Sequence, residues 1–563
     1  MPAAVQSRKT PATLRLAAGV AVLVILQLAA IANLVWTEYG PVSQAAYVLA
    51  WGLLNFFWLG VLRRPAPAAA LSLVMVVALC LLSQFKHNYL FMTVSFVDLM
   101  MVDPDTVSYL LATYPDLGRQ LAIAAAVVVP FIVLVWWLDP FRVRLRIAAL
   151  GAAVCFAALA GLAFAVPLDR EDEFFDFNYL SKFARSGAVA LVDLMTRGLL
   201  ESDAAVVDRL TPAATTECQP ATRLPHIIMI LDEASFDITA LPGMTVPPNY
   251  RERFRSFDGK ERHFIVEGAG GPTWSTEYNV LSGLSVRSYG RFAEGVTRLA
   301  AGRVERGLPL ALRQCGYRTF SVYTAMGAFV GARGYHTTAG IEHFYDSKDL
   351  GTIERQPDSF YYDFADRLLT WERGQGPMFI LLYTAANHTP WNFRWRPDLL
   401  PDWRNSGNRF DVDEYLRRQE MSARDYPQLL NRLKRNFPGE AFLIVRFGDH
   451  QPLFAKYFVD PTLDPAAVAQ HIQHSDPRYF TTYYAIDTVN FTPADLSSAL
   501  DTLDAPYLPL VVLEAAGVPL DPSFAEQKKI LERCRGLFYL CDGGAEARRF
   551  NRLLIDAGLI KGF

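Results

Sequence analysis

Three short segments of this 563-residue chain carry side chains able to hold a divalent metal and activate a hydroxyl. Asp232-Glu233-Ala234-Ser235 directly follows the apolar run Ile227–Leu231. Asp449-His450-Gln451-Pro452 follows Phe442–Val445 by way of Arg446-Phe447-Gly448. Between them in sequence lies Gly270-Gly271-Pro272-Thr273-Trp274-Ser275-Thr276-Glu277, a small-residue turn that predicts a helix opening at the threonine. Carboxylates and imidazole brought together make a hard-to-borderline metal site suited to manganese or zinc. A hydroxyl at a helix N-terminus beside such a cation loses its proton more easily and is well placed against phosphate. Singly, each segment says little, because an acidic pair after a strand is often only a helix cap. Their common placement after strands or at a helix start is what points to chemistry.

Residues so far apart can meet only if the elements before them align. From His226 onward, short β-branched or aromatic runs alternate with helical stretches. The runs His226–Leu231, His263–Val266, Thr319–Tyr323, Met378–Tyr383, Ala441–Arg446, Thr481–Ile486 and Leu508–Leu513 are expected strands. Most are continuously apolar, as in a sheet covered on both faces. Phe360–Glu372 and Ser422–Asn436 suit crossover helices. The expectation is an α/β layered, mostly parallel domain with its site beyond the carboxyl ends of the strands.

Before residue 170 the composition is different. Five apolar runs, Leu16–Trp36, Val42–Leu62, Ala66–Phe85, Leu121–Leu138 and Ile147–Val166, are each near the ~20 residues of a membrane-spanning helix. Arg8, Lys9 and Arg15, then Arg63 and Arg64, then Arg142, Arg144 and Arg146 mark the segments expected inside. An odd number of spans then puts everything after residue 167 outside the cytoplasm. Tyr89–Met101, apolar but short, reads as an interfacial or re-entrant helix. The domains expected are 1–167, five spans; 168–222, an amphipathic connector ending in the polar tract Thr211–Pro220; and 223–563, an extracytoplasmic enzyme domain.

A net charge of -3 with no basic stripe argues against nucleic acid as a partner. Of the six cysteines, Cys80 and Cys155 lie in apolar runs; Cys218, Cys315, Cys534 and Cys541 are an even number compatible with two disulfides, Cys534 with Cys541 foremost. His471 and His474 read as surface histidines in a polar loop without a carboxylate partner. Cys218-Gln219-Pro220-Ala221-Thr222-Arg223 has its arginine one place late for formylglycine chemistry and precedes the first strand, so that chemistry is rejected.

Taken in order, these motifs resemble the alkaline phosphatase and sulfatase superfamily, and within it the lipoteichoic acid synthase and phosphoglycerol transferase family. The resemblance covers nearly the whole chain, five spans included. It implies Glu233, Thr273, Asp449 and His450 as metal ligands, with Thr273 also the nucleophile; Ser275 and Thr276 rank well below it. It implies His388, in Asn387-His388-Thr389-Pro390-Trp391, as a catalytic and substrate-side histidine, and Arg333 and Trp274 as substrate-binding residues. Asp232 is left to a supporting position. The cofactor implied is Mn2+ or Zn2+. The activity implied is transfer of phosphoglycerol from phosphatidylglycerol to a glycan, polymer or lipid acceptor, by a multi-pass protein of the bacterial inner membrane. Phosphoethanolamine transfer from phosphatidylethanolamine and a catalytically silent envelope scaffold are the alternatives.

Overall fold

A computed structural model describes residues 11–90, 93–100, 102, 104–113, 115–166, 176–196, 198–206, 209–210, 218 and 223–562. The chain divides into two compact units, Met1–Thr196 and Arg197–Phe563. In the first, helices Pro11–Thr37, Pro41–Leu62, Pro65–Leu90, Pro115–Leu138 and Leu145–Ala165 form from the five apolar runs. All five are long and apolar enough to cross a membrane. Large side chains such as Ile25, Trp36, Val127 and Leu150 are exposed, whereas Ala46, Ala66, Ala69 and Ala70 are buried where helices meet. That is the pattern of helices solvated by lipid, where small residues allow close approach.

The short element expected over Tyr89–Met101 is corrected. Tyr89 and Leu90 end the third helix, Phe96–Met100 is the one 3-10 turn among the described residues of this stretch, and a separate helix runs from Pro104 to Thr113. Of the stretch 168–222, the amphipathic helix Tyr179–Thr196 groups with the first unit. Glu38 caps its start, accepting from the Leu180 N–H at 3.0 Å and the Ser181 hydroxyl at 2.5 Å. The tract Thr211–Pro220 lies outside the described residues except for Cys218.

The second unit is built on one eight-stranded sheet. Its strands are β1 (His226–Asp232), β2 (Arg262–Ile265), β3 (Arg318–Val322), β4 (His343–Tyr345), β5 (Met378–Tyr383), β6 (Phe442–Gly448), β7 (Thr481–Val489) and β8 (Thr502–Asp504). Their order is β4-β3-β5-β1-β6-β7-β2-β8, and only β7 runs antiparallel to its neighbours. β4 and β8, three residues each, carry too little pattern to be read from sequence. Leu508–Leu513 is corrected from strand to helix Leu508–Ala516, started by Pro509 in its first turn and stopped by Gly517 in the left-handed region. A short buried apolar run has no periodicity to separate the two. On one face, Ile228, Ile230, Phe320, Ile380, Leu382 and Ile444 pack against Tyr361, Leu368, Leu429 and Leu433 of helices Asp358–Glu372 and Phe410–Asn436. Burying both faces is why β1, β5 and β6 are almost wholly apolar. Cys218 is bonded to Cys315 and Cys534 to Cys541, while Cys80 and Cys155 are free.

Candidate metal centre and nucleophile helix

The three central strands, β5, β1 and β6, are parallel neighbours, with Leu231 opposite Tyr383 and Asp232 opposite Gly448. Their carboxyl ends therefore deliver Thr384, Glu233 and Asp449 to one edge of the sheet. The turn after β1 is tight: Ala234 has φ +48°, a conformation unusual for a residue with a side chain. Its N–H donates to Asp449 Oδ1 at 2.8 Å, and its carbonyl accepts from the Tyr415 hydroxyl at 2.9 Å. Gly448 is required beside it, because a Cβ there would lie 1.8 Å from the Ser235 carbonyl oxygen.

Glu233, Asp449 and His450 are all buried and bring one ligand atom each within 4.8 Å of the others. His450 Nε2 lies 3.3 Å from Asp449 Oδ2 and 3.8 Å from Glu233 Oε1. The His450 Nδ1 donates to the Gln451 carbonyl at 2.9 Å, which leaves Nε2 as the bare nitrogen of the neutral ring. Asp449 Oδ2 is buried without a hydrogen-bond partner among the described residues. Burial, and then the Asp449 charge, push the Glu233 carboxyl well above its ordinary range. Two buried carboxylates and an imidazole nitrogen aimed together, with one oxygen orphaned, fit a divalent cation.

The helix predicted to open at Thr273 is observed over Thr273–Ser282. The Thr276 hydroxyl donates to the Asp449 carbonyl at 2.6 Å, pinning the first turn against the ligand segment. Thr273 is one helical turn earlier on that same face. Thr276 is thereby committed to structure, and Ser275 is buried. Trp274 is also buried, edge-on to Phe329 at 6.4 Å, and its indole Nε1 has no partner among the described residues.

His388 follows β5. Its Nδ1 lies 2.7 Å from the Thr389 carbonyl oxygen, which can only accept, so Nε2 is again bare in the neutral ring. Burial first, then the Arg355 charge, pull its pKa down to about 4, with His450 contributing. Arg333 pairs with Asp346 at 2.7 Å and Asp349 at 3.3 Å and stacks over Phe344, so its guanidinium is engaged within its own lobe. Asp232 accepts from the Tyr483 hydroxyl at 2.6 Å and pairs with Arg253 at 3.3 Å, which places it in a buried network beneath the ligands.

Sequence reasoning missed Asn387, buried with an unpartnered Oδ1, and Arg355, whose charge acts on both Glu233 and His388. Asn387 had a signal in its place beside His388; Arg355 had none. His471 is corrected. It lies in helix Pro465–Gln473 and has a carboxylate partner, Asp476, at 2.9 Å. His474 is exposed.

Residues 261–479 match the sulfatase family model. No curated protein matches the chain. Similar solved structures include the phosphoglycerol transferase GacH of Streptococcus pyogenes with sn-glycerol-1-phosphate, 14% identical over 62% of this chain and 88% of that one, TM-score 0.47. The lipoteichoic acid synthase LtaP of Listeria monocytogenes is 14% identical over 55% and 76%, TM-score 0.40. The lipooligosaccharide phosphoethanolamine transferase A of Neisseria meningitidis is 11% identical over 85% and 96%, TM-score 0.43.

Proposed function

We propose that this chain, a membrane-anchored protein with a sulfatase-family domain, transfers a phosphoglycerol head group from phosphatidylglycerol to an envelope glycan, polymer or lipid through a phosphothreonine at Thr273. The observation that carries the reading is the convergence of Glu233, Asp449 and His450 beside a helix that opens with a hydroxyl. Glu233, Asp449 and His450, with Thr273, would hold Mn2+ or Zn2+, which supplies Lewis acidity and lowers the pKa of a bound hydroxyl. The Thr273 oxygen bonds to phosphorus while the bond from phosphorus to the diacylglycerol oxygen breaks. The threonine gives up one proton and diacylglycerol leaves with one. An acceptor hydroxyl then displaces Thr273 from phosphorus, returning its proton.

His388 suits the proton carrier for these alcohol oxygens. Its bare Nε2 accepts the proton of the incoming hydroxyl in the second step. In the first, the phosphodiester's negative charge raises its low pKa, and the protonated ring hands a proton to the departing oxygen. The Trp274 indole N–H and the Asn387 Oδ1 supply unused polar groups close to the two motifs. Arg333 remains proposed as a substrate ligand, which requires exchange of its Asp349 contact for the phosphate. Two disulfides in the second unit support an oxidising, extracytoplasmic setting for it.

The test is mass spectrometry of protein quenched with phosphatidylglycerol and no acceptor. A glycerophosphoryl mass on the Thr273 peptide is expected, absent in Thr273→Ala and retained in part by Thr273→Ser. A folded Thr273→Ala protein that turns over near normally would rule the mechanism out. A preferred ethanolamine phosphate adduct with phosphatidylethanolamine would keep the nucleophile and replace the donor.

A further inference from the structure

The segment after β5 is held in an uncommon way. The carbonyl groups of residues 388 to 390 accept from arginine side chains. Arg355 donates from Nη1 to the His388 carbonyl and from Nη2 to that of Thr389, both at 2.6 Å. Arg418 donates from Nη1 to the same His388 carbonyl at 2.7 Å and from Nη2 to the Pro390 carbonyl at 2.8 Å. Three consecutive carbonyls, 388 to 390, are thus gripped by two rigid forks, Arg355 from a loop and Arg418 from helix Phe410–Asn436. Arg417 takes the carbonyl of Trp395, with its other η nitrogen 3.4 Å from that of Arg396.

The arginines are themselves fixed. Arg418 is fully buried, and its Nε donates to Glu414 Oε1 at 2.7 Å. Glu414 is equally buried; it also accepts from Arg417 Nε at 2.9 Å, from Arg394 Nη1 at 3.1 Å and from the Trp395 N–H at 3.0 Å. Trp395 lies within cation–π range of both clamps, 5.5 Å from Arg355 and 5.7 Å from Arg418. Burying a guanidinium in this way is costly, and a loop that needed only to be closed would not require it. What the grip fixes is the backbone at His388, and with it the direction of the imidazole.

We propose that Arg355 and Arg418 are positioning residues that set the His388 ring against the phosphorus-bound oxygen by clamping carbonyls 388–390. The inference rests on His388 being the proton carrier of the proposed function. Lysine retains the charge at either position but not the planar fork, so it does not hold the two carbonyls in the same fixed geometry. In the first step the defect should therefore appear only where proton transfer to the leaving oxygen matters.

The experiment follows the first step alone, as single-turnover release of the leaving group without acceptor, on the purified full chain. It compares two donors: phosphatidylglycerol, whose diacylglycerol oxygen must be protonated, and a p-nitrophenyl ester of glycerophosphate, whose nitrophenolate leaves as a stable anion. His388→Gln should lower the single-turnover rate on phosphatidylglycerol roughly 10²-fold and on the nitrophenyl ester by less than ~10-fold. Arg355→Lys and Arg418→Lys should each lower the single-turnover rate on phosphatidylglycerol about 10-fold, leave the half-saturating donor concentration and the nitrophenyl rate within about twofold, and add nothing in a His388→Gln background. Arg355, only partly buried, supplies the informative variant if Arg418→Lys does not fold. Equal losses on both donors, no loss on phosphatidylglycerol, or an additive loss in the double variant overturns the clamp while His388→Gln keeps its donor selectivity. A His388→Gln enzyme without that selectivity overturns the proton-carrier reading itself, and the clamp with it.

Discussion

Two clusters centred on buried carboxylates lie in the same domain and are built on opposite terms. Around Glu414, one carboxylate receives Arg394, Arg417 and Arg418, and Asp413 pairs with Arg394 at 2.5 Å. The charge is satisfied, and the Glu414 carboxyl is held below its ordinary range against its own burial. At Glu233 and Asp449, two carboxylates face one imidazole with an oxygen left over, and the Glu233 carboxyl is driven upward. A protein selected only for stability would not leave the second arrangement in its core. The difference separates a support from a workplace, since groups left electrostatically open are where a ligand acts.

The largest effect that would break this contrast is loss of the ligands. Glu233→Gln and Asp449→Asn should lower bound manganese or zinc, read by elemental analysis, to well below one per chain. Turnover should fall roughly 10³-fold or more. Glu233→Gln should also melt higher than wild type when both are stripped with chelator, because it removes a like charge from a buried pair. Retained metal in Asp449→Asn would sink the assignment. His471→Ala and His474→Ala should keep metal and activity.

Glu414→Gln should do the reverse. It leaves buried guanidinium groups with a neutral partner, a loss of about 3–5 kcal/mol read from the urea midpoint, while metal stoichiometry is unchanged. A variant as stable as wild type would show that the arginines find their partners elsewhere and that the support is not built on this carboxylate.

Legibility in the sequence divides along the same line. Glu233, Asp449 and His450 stand one or two residues past the largely apolar strands β1 and β6, so a local reading reaches them. The helix ending at Asn436 was expected from Ser422 but begins at Phe410, because its first half, Asp411 to Gln419, is polar and looks solvated. Asp413, Glu414, Arg417 and Arg418 are in fact buried there, and no periodicity announces a buried ion cluster. Arg355 reaches His388 from 33 residues away through a contact only the folded chain creates. Membrane spans were read well because length and apolarity are all a bilayer demands.

The smallest effect concerns another buried acid, outside both clusters and with no ion pair among the described residues. Asp504, at the end of β8, is 7% exposed and accepts from the Phe538 N–H at 2.6 Å. Burial is the leading cause that raises its pKa from 3.8 to about 7, and the Phe538 N–H bond and then the Arg287 charge only partly offset it. Between those two values the folded protein holds a proton that the unfolded chain has released. Stability therefore falls as pH rises from about 4 to about 7 and levels off above. Asp504→Asn removes that slope. The rise in pKa sets a ceiling of roughly 4 kcal/mol, and the amide accepts the Phe538 bond less strongly than a carboxylate, so the expected gain above pH 7 is about 2 kcal/mol. Below pH 4 the two proteins should unfold at nearly the same urea concentration. Subtracting one pH series from the other cancels the remaining titrating groups, so a difference that is flat from pH 4 to 8, or that favours wild type at pH 8, would show that this carboxyl is stabilised as an ion. It would then belong with Glu414, as part of the support.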